Sequence, residues 1–334
     1  MDEIILLAHG SGSKLSHDLI EKKLLRPLNN PVLAKLDDSA VINLQGRLAF
    51  TTDSYVVSPI FFPGGDIGKL AVCGTVNDLA MSGAVPKYLS LSLIIEEGLT
   101  SGELDKVVGS IKAALEESGV GIITGDTKVV NRGNADKIFI NTSGIGVIPD
   151  GVDISGANAK AGDVIILSGP IGDHGIAVMS QREGLQFSVP VQSDCAPLNK
   201  MVSQMLEASL RIHCLRDPTR GGLATTLNEL AGQSDTGIRI EEQKIPIKDG
   251  VRAACELLGF DPLYIANEGK LVAVVDPRDA DSILARIKQN PYGSEAVVIG
   301  EVTDEHRGRV ILKTRLGASR IVDMLSGELL PRIC

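Results

Sequence analysis

The sequence predicts an α+β protein of two domains, and three observations support this prediction. The chain has 334 residues, 43% of them hydrophobic, which is more than one hydrophobic core usually fills. Patterns typical of strands and helices alternate along its whole length. Near the middle, the segment PDGVDISGANAKAGD is polar, contains four glycine and proline residues and has no periodicity. We therefore expect the two domains to meet there.

These patterns divide the chain into four parts. We expect a glycine-rich N-terminal segment over residues 1–35, a first α+β domain over 36–150, a second over 151–314 and a mobile tail over 315–334. The tail ends in Cys334. Extended at about 3.3 Å per residue, a tail of this length reaches across a domain.

The first half contains five strand patterns and two helix patterns. AVINLQGRLAFTTD predicts two strands around a Gln-Gly turn, and YLSLSLII alternates as a half-buried strand does. Between them, GGDIGKLAVCGTVNDLAMSGA predicts a helix whose N-terminus is favoured by Asp66. SGELDKVVGSIKAALEESG predicts a helix that Ser101 caps and Gly119 ends. GVGIITGD and KIFINTSGIGVI complete this unit as strands.

The second half repeats the alternation. Strand patterns are VIILSG, GIRIEE, RVILKT and the two apolar runs of PLYIANEGKLVAVVD. Helix patterns begin near Asp173 and at Gly222 and cover NKMVSQMLEASL and GVRAACELLG. We interpret His174, in the loop SGPIGDHGIAVM, as structural. After RVILKT the periodicity is lost, which predicts the tail.

Composition argues against several classes of function. The formal net charge is −9, so nucleic acid is not an expected partner. The start MDEIILLAHGSG lacks the basic region of a signal peptide, and no run approaches the roughly 20 apolar residues of a membrane span. We therefore expect a cytoplasmic protein with no membrane partner. The five cysteines form no CxxC pair, which predicts reduced thiols and no structural metal.

Three acidic residues lie where apolar segments stop: Asp53 in FTTDSYV, Asp78 in TVNDLAMSGA and Asp126 in IITGDTKVV. Carboxylates on rigid element ends suit Mg²⁺ that bridges polyphosphate oxygens, although each is equally compatible with a turn or a cap. Lys128 follows Asp126 by two residues, so in an extended segment both side chains point the same way. Its ammonium would meet a phosphate or form a surface ion pair.

Glycine-rich segments offer backbone amides to an anion. HGSGSK supplies Gly10, Gly12 and Lys14, although no Walker A or GxGxxG motif is present. In RDPTRGGLATTLNEL, Arg220 and two glycines precede a helix whose N-terminal amides attract negative charge. In IANEGK, Glu268 occupies a tight turn between apolar strands, either as a solvated loop residue or as a functional carboxylate.

Together these segments resemble the HypE family of hydrogenase maturation factors. This family belongs to the superfamily of ATP-using enzymes that includes aminoimidazole ribonucleotide synthetase and selenophosphate synthetase. The resemblance covers nearly the whole chain. Its motifs are LAHGSGSK, FTTDSYVVSPIFFPGGDIGKLAVCGTVNDLAMSGA, LSLIIEEG, TGDTKVV, NTSGIG, SGPIGDHG, RDPTRGGLA, NEGK and the terminal PRIC. The central block and the cysteine ending are the specific ones, whereas the glycine turns alone are not.

The resemblance implies a function for the terminal cysteine, whose position alone says little because chain ends tolerate almost any residue. Cys334 would receive a carboxamide from the carbamoyltransferase HypF, and ATP-dependent dehydration would convert it to a thiocyanate. The cyanide would then pass to iron on the HypC–HypD complex for NiFe-hydrogenase. The implied fold has two aminoimidazole ribonucleotide synthetase-like α+β domains and forms a homodimer whose N-terminal strands join in a barrel.

The resemblance also implies roles for single residues. Lys128, Asn267 and Glu268 would hold the group that reacts on Cys334, with Glu268 as the base that removes nitrogen protons. Mg²⁺ would be bound by Asp53, Asp78 and Asp126. The first domain would bind ATP, and the implied cofactor-binding residues are Gly10, Gly12, Lys14, Asp53, Asp78, Asp126, Asn141 and Thr142.

Two alternatives remain open from the sequence. One is an ATP-dependent phosphotransferase that acts on a free small molecule and does not need Cys334. The other is a non-catalytic carrier of the carbamoyl group, which binds nucleotide and docks its tail on the maturation complex but dehydrates nothing.

Overall fold

The structure is a computed structural model and describes residues 4–11, 14–37, 39–185, 190–325 and 332–334. The chain starts with α1 (Lys14–Leu19), a π-helical turn (Ile20–Leu25) and α2 (Arg26–Leu28), which follow one another without a break. Leu19 and Leu28 are buried in the core of the first domain. The N-terminal segment is therefore helical where the sequence suggested only glycine-rich character.

The first domain contains a four-stranded sheet in the order β1-β6-β4-β5. Its strands are β1 (Arg47–Tyr55), β4 (Val85–Glu96), β5 (Gly121–Val130) and β6 (Ile138–Ile148). A short hairpin of β2 (Phe61–Phe62) and β3 (Gly65–Asp66) lies outside this sheet. β4 pairs parallel with β5 and antiparallel with β6, and β6 pairs antiparallel with β1.

Two helices, α3 (Ile67–Met81) and α4 (Ser101–Ser118), belong to this domain. The side chain of Asp66 accepts hydrogen bonds from the backbone N–H groups of Gly68 and Lys69 at 2.8 and 2.9 Å, which confirms its predicted effect at the N-terminus of α3. Such a cap contributes about 1 kcal/mol. Nearly every residue of α3 is buried, because the helix contacts β1, β6, α4 and the second domain.

The cap of α4 is a small correction. Thr100, not Ser101, is the N-cap: its hydroxyl accepts from the backbone N–H of Glu103, whose carboxylate accepts from the backbone N–H of Thr100. This reciprocal pair is a capping box, and the prediction placed the cap one residue late. Gly119 ends the helix in a left-handed conformation, as predicted.

The face of the first sheet opposite α3 is open. Alternate residues of β1 point away from the helix, and Phe50 on that face is 73% exposed. The strand register places Phe50 beside Ile145 and Thr52 beside Ser143. This open face is therefore partly apolar.

The second domain is built on a seven-stranded sheet in the order β13-β12-β9-β11-β7-β10-β8. The strands are β7 (Val164–Leu167), β8 (Ile212–Arg216), β9 (Gly237–Glu241), β10 (Val272–Val275), β11 (Val297–Thr303), β12 (Val310–Lys313) and β13 (Ser319–Val322). The helices are α5 (Asp173–Glu183), α6 (Asn199–Ala208), α7 (Gly222–Ser234), α8 (Asp249–Leu258) and α9 (Ala280–Gln289). Residues of α7 pack in one core cluster of the sheet, and residues of α6 and α9 pack in another.

Two predictions about the chain are wrong. Residues 40–45 form no strand, because AVINL has no backbone hydrogen-bond partner among the described strands. The tail does not begin after RVILKT, because Ser319–Val322 pairs antiparallel with β12. The sequence patterns also did not single out α9 or β11. The segment 149–163 is irregular apart from a short 3-10 turn at Gly156–Asn158.

No helix in the described part of the chain has the length and apolar character needed to cross a membrane.

Candidate functional site

The end of the chain is docked against the segment that follows β1. The backbone N–H groups of Val56 and Ser58 donate to main-chain oxygens of Cys334 and Arg332, at 3.1 and 3.3 Å. The side chain of Ile333 is only 3% exposed and packs in the core of the first domain. The last three residues are therefore held by main-chain and side-chain contacts, which defines the position of the Cys334 thiol.

The thiol of Cys334 lies among charged groups of both domains. Burial raises its pKa to about 12, and the negative charges of Glu268 and Asp53 act in the same direction. The nearby Arg220 lowers the pKa but does not reverse the shift. Because the thiolate is the nucleophilic form, this shift disfavours reaction of the docked thiol.

Glu268, whose charge acts on the Cys334 thiol, is buried, with 3% of its surface exposed. Its Oε1 has no hydrogen-bond partner among the described residues. Burial raises the pKa of Glu268 well above its usual range, and Cys195, Asp217 and Asp194 raise it further. A buried carboxyl with a high proton affinity and one unused oxygen can accept a proton from a group placed against it.

The backbone around Glu268 is held from two sides. The carboxylate of Asp194 accepts from the backbone N–H groups of Glu268 and Gly269, at 3.1 and 3.2 Å. From α3, the side-chain amide of Asn77 donates to the carbonyl oxygen of Glu268 at 3.4 Å. A Cβ at Gly269 would collide with the backbone of Asp194, so this close approach requires glycine. The loop that carries Glu268 is thus fixed by both domains.

Asn77 links the domains through two further hydrogen bonds. Its Nδ2 donates to the carbonyl oxygen of Ala196 at 3.1 Å, and its Oδ1 accepts from the backbone N–H of Leu198 at 2.7 Å. The residue is 1% exposed. Since Asp78 follows directly in the chain, one turn of α3 supports both the Glu268 loop and a carboxylate of the site.

The side chain of Asn267 forms three hydrogen bonds, all with backbone groups. Its Oδ1 accepts from the N–H of Gly172 at 2.7 Å, and its Nδ2 donates to the carbonyl oxygens of Pro218 and Ile265 at 2.8 and 3.0 Å. The side chain therefore joins three loops beside Glu268. This position suits holding the loop rather than touching the reacting group.

A second set of acidic groups adjoins Glu268. The Thr51 hydroxyl donates to Asp78 Oδ2 at 2.9 Å. Burial raises the pKa of Asp78, and the charge of Asp53 raises it further. Asp217, which the sequence reasoning missed, has its pKa raised to about 7 by burial and then by the charge of Asp78. The signal for Asp217 is its place in the motif RDPTRGG, beside Arg220 and the two glycines.

These carboxylates repel one another, and a cation would relieve that repulsion. Arg216 and Arg220 already lower the pKa of Asp78. Within the described ranges, no group of three His, Cys, Asp or Glu side chains is close enough to hold a metal ion by itself. Mg²⁺ commonly takes one or two protein carboxylates together with phosphate oxygens and water, so the pair Asp53 and Asp78 fits such a site with Asp217 beside it.

Asp126 and Lys128 lie apart from this group. They form an ion pair of 2.7 Å on β5, as the alternation predicted, and both side chains are more than half exposed. The hydrogen bond from Lys128 holds the pKa of Asp126 below its usual range. Across β4, the register places Asp126 and Asn141 opposite the same residue, Ser92, and therefore on the open face of the sheet. Within one chain, Asp126 does not join Asp53 and Asp78.

Thr142, next to Asn141, points to the other face of the sheet. Its hydroxyl donates to the carbonyl oxygen of Ala71 on α3 at 3.1 Å and is hydrogen-bonded to the hydroxyl of Thr75 at 2.5 Å. Thr142 is fully buried. These contacts attach α3 to β6 and leave the hydroxyl facing α3.

A cavity of about 350 Å³ separates the N-terminal helical segment from β5. Its lining includes Gly10, Asp126 and Lys128 together with leucines and isoleucines from both sides. A Cβ at Gly10 would lie 2.6 Å from the backbone nitrogen of Val129, so only glycine lets this loop approach β5. Lys14 is exposed at the start of α1 and does not line the cavity, and Gly12 lies outside the described residues.

Two family models match the chain. AIR synthase related protein, N-terminal domain, matches residues 36–148, and AIR synthase related protein, C-terminal domain, matches residues 160–313. The two sheets and the acidic groups between them thus define a two-domain protein of the AIR synthase-related class.

Closer relatives narrow this class. The carbamoyl dehydratase HypE of Rhizobium leguminosarum bv. viciae is 54% identical over 330 residues, 98% of this chain and 94% of the relative. The chain belongs to the HypE family of carbamoyl dehydratases, which confirms the resemblance. A crystal structure of hydrogenase maturation protein HypE in complex with ATP is 51% identical, with a TM-score of 0.96 over 98% of this chain and 99% of that one. A chain in a HypE–HypF complex is 50% identical, with a TM-score of 0.82 over 92% and 99%.

Proposed function

We propose that this protein uses ATP to dehydrate a carboxamide carried on its own Cys334 to a thiocyanate, which supplies cyanide for the iron of NiFe-hydrogenase. The observation that carries the proposal is the docked chain end: the terminal thiol lies within the field of a buried carboxyl, Glu268, that has one unused oxygen. Membership of the carbamoyl dehydratase family supports it. The same observation disfavours a free small-molecule substrate, because the protein's own tail occupies the position beside Glu268.

The reaction needs two steps, because an amide oxygen is a poor leaving group. Transfer of the γ-phosphoryl group of ATP to that oxygen forms an O–P bond, releases ADP and removes one proton from the amide nitrogen. Removal of the remaining nitrogen proton then forms the carbon–nitrogen triple bond and expels phosphate. The sulfur–carbon bond to Cys334 stays intact throughout.

Glu268 is proposed as the base of the second step. It is buried, so water does not compete for its carboxylate, and its raised pKa favours taking a proton from nitrogen. Asp194, Asn77 and Asn267 keep its loop in place. Preorganised groups of this kind need no rearrangement when the reaction occurs.

We propose that Asp53 and Asp78, with Asp217 beside them, hold Mg²⁺ in the presence of ATP. When bound, Mg²⁺ would neutralise charge on the phosphate oxygens. The fit rests on the mutual repulsion of these buried carboxylates: burial and the charge of Asp53 raise the pKa of Asp78, and burial and the charge of Asp78 raise that of Asp217. Lys14 and Gly12 remain predicted contributors to nucleotide binding.

The adenosine part of ATP is assigned to the cavity beside β5, whose volume and mainly apolar lining suit such a ligand. Asp126, Lys128 and Asn141 lie on the open sheet face next to it. We propose that the protein is a homodimer in which a second copy covers this face and its exposed Phe50. Lys128 and Asp126 would then act at an interface between chains.

The proposed partners are the carbamoyltransferase HypF, which loads Cys334, and the HypC–HypD complex, which receives the cyanide. A complex of HypE with HypF supports the first, and the cytoplasmic location stays a prediction from the sequence. Intact-mass analysis after incubation with HypF, carbamoyl phosphate and Mg·ATP tests the function. We expect addition of a carboxamide and then loss of one water, and neither change in Cys334→Ser. Loading without loss of water would instead identify a carrier.

A further inference from the structure

Main-chain oxygens of all three residues at the docked chain end accept hydrogen bonds, and two of the donors are side chains of α5. His174 Nε2 lies 3.0 Å from the carbonyl oxygen of Ile333. Arg182 Nη2 donates to the carbonyl oxygen of Arg332 at 2.8 Å. The other donors are the backbone N–H groups of residues 56 and 58 in the first domain. The tail is thus bound on one side by the backbone of residues 56–58 and on the other by side chains of α5.

The contacts of His174 define one tautomer. A carbonyl oxygen can only accept, so Nε2 carries the proton that points at Ile333. Nδ1 then accepts from the hydroxyl of Ser193 at 2.8 Å, and that hydroxyl oxygen in turn accepts from the backbone N–H of Cys195 at 3.1 Å. Complete burial lowers the pKa of His174, which keeps the ring neutral. The ring of Phe62 meets it edge to face at 5.3 Å.

Arg182 acts as a bridge. Its Nε donates to the carbonyl oxygen of Ser58 at 2.8 Å while its Nη2 bonds the tail. The tail residue Arg332 also binds the receiving segment: its Nε and Nη2 donate to the carbonyl oxygen of Val56 at 3.1 and 3.0 Å. Arg332 also pairs with Asp136 and lies over the ring of Phe139. Two guanidinium groups therefore bind the tail and its receiving segment together.

We propose that His174 and Arg182 form a tail latch that sets the register of Cys334 against Glu268 and the balance between docked and released tail. The inference rests on the proposed function and deepens it. Because the latch bonds the backbone of residues 332 and 333, it is indifferent to the group on the sulfur. It can therefore hold the free thiol, the carboxamide and the thiocyanate in one register.

Weakening the latch should change two measurable quantities in opposite directions: the accessibility of the Cys334 thiol and the rate of dehydration. The loading enzyme must reach the same sulfur, so a weaker latch exposes Cys334 more often but aligns it less well. A loosened variant should gain thiol accessibility and lose dehydration rate. A variant that is only less stable would expose all its cysteines, and the other four are buried.

The test uses alkylation of the full-length protein by iodoacetamide, read by intact mass as a single adduct. His174→Leu removes both ring nitrogens, and His174→Gln restores an N–H near the position of Nε2. Arg182→Met and Arg182→Lys form a second pair on the more exposed half of the latch. Arg286→Met, at an exposed position of α9, is the control.

We expect His174→Leu and Arg182→Met to raise the alkylation rate of Cys334 by about threefold to tenfold, the factor that loss of one net hydrogen bond produces. The Gln variant should fall back toward the wild-type rate. Dehydration of a preloaded carboxamide should slow in the same two loosened variants. Arg286→Met should match the wild type in both assays.

Unchanged alkylation in both His174→Leu and Arg182→Met would overturn the latch, and so would several adducts in each. If His174→Leu does not fold, the Arg182 pair decides alone. If alkylation responds as expected but even the wild type never dehydrates its carboxamide, the latch stands and the proposed function fails. The two results are therefore distinguishable.

Discussion

Replacing Glu268 with glutamine separates proton removal from the rest of the reaction, because glutamine keeps the shape of the side chain but cannot serve as the base. General-base catalysis by a positioned side chain contributes about 10²- to 10⁴-fold. We therefore expect Glu268→Gln, preloaded with a carboxamide on Cys334 and given Mg·ATP, to lose water more slowly by that factor. Single-turnover intact mass measures the rate, and the retained carboxamide or a phosphorylated form should accumulate.

The same substitution should change how stability depends on pH. Burial raises the pKa of Glu268 well above its usual range, so the folded protein keeps a proton that the unfolded chain releases. This contribution to stability is complete below the unfolded value, about 4.3, and is lost as pH rises toward the folded value. Between these two pH values, the free energy of unfolding falls by about 1.4 kcal/mol per pH unit. Glutamine removes this slope, whereas the similar slope from Asp217 remains in both proteins.

Urea unfolding at several pH values measures the difference in slope between variant and wild type. Glu256→Gln, at an exposed position of α8, is the matched control and should follow the wild-type curve. Parallel curves for wild type and Glu268→Gln would show that the carboxyl of Glu268 titrates normally in the folded protein. Loss of water at the wild-type rate would show that another group is the base.

Three further predictions follow from the site and the open sheet face. Asp78→Asn should lower ATP hydrolysis by about 10²-fold or more with little change in melting temperature, since a charged oxygen of the proposed metal site is lost; normal turnover at ordinary magnesium would exclude Asp78 as a ligand. Asn77→Ala should lower the free energy of unfolding by about 3 kcal/mol, because it leaves buried groups on two loops unpaired; a loss within experimental error in urea unfolding would contradict the interdomain role. Light scattering should show a homodimer that Phe50→Asp converts to monomer, and a wild-type monomer at micromolar concentration would refute the proposed interface.

Local signals in the sequence predicted the elements that frame the site. Asp66 could be recognised as a helix start and Gly119 as a helix end, because both act on backbone groups within one turn. Glu268 and Cys334 stood out through their positions in a tight turn and at the chain end. The family followed from motifs spread over the whole length, which the comparisons confirm.

Other residues gave no local signal, because their roles depend on partners far away in the chain. Asn77 looks like any polar residue of a helix, yet its side chain bonds residues near 196 and 268. Asp194 gives no sign that it supports the Glu268 loop. AVINL has a good strand pattern, but a strand needs a hydrogen-bonded neighbour, and no described strand pairs with this segment.

The sequence by itself determined the family, the alternation of elements and the presence of a terminal thiol, because each of these is written in neighbouring residues or in motif order. Only the tertiary structure decided which carboxylates meet. Asp53 and Asp78 approach Asp217 and Glu268 because α3 lies between the domains, whereas Asp126 is on the opposite face of the sheet. Burial among those groups then decides their proton affinities, since desolvation and like charges act through space and leave no mark on sequence order.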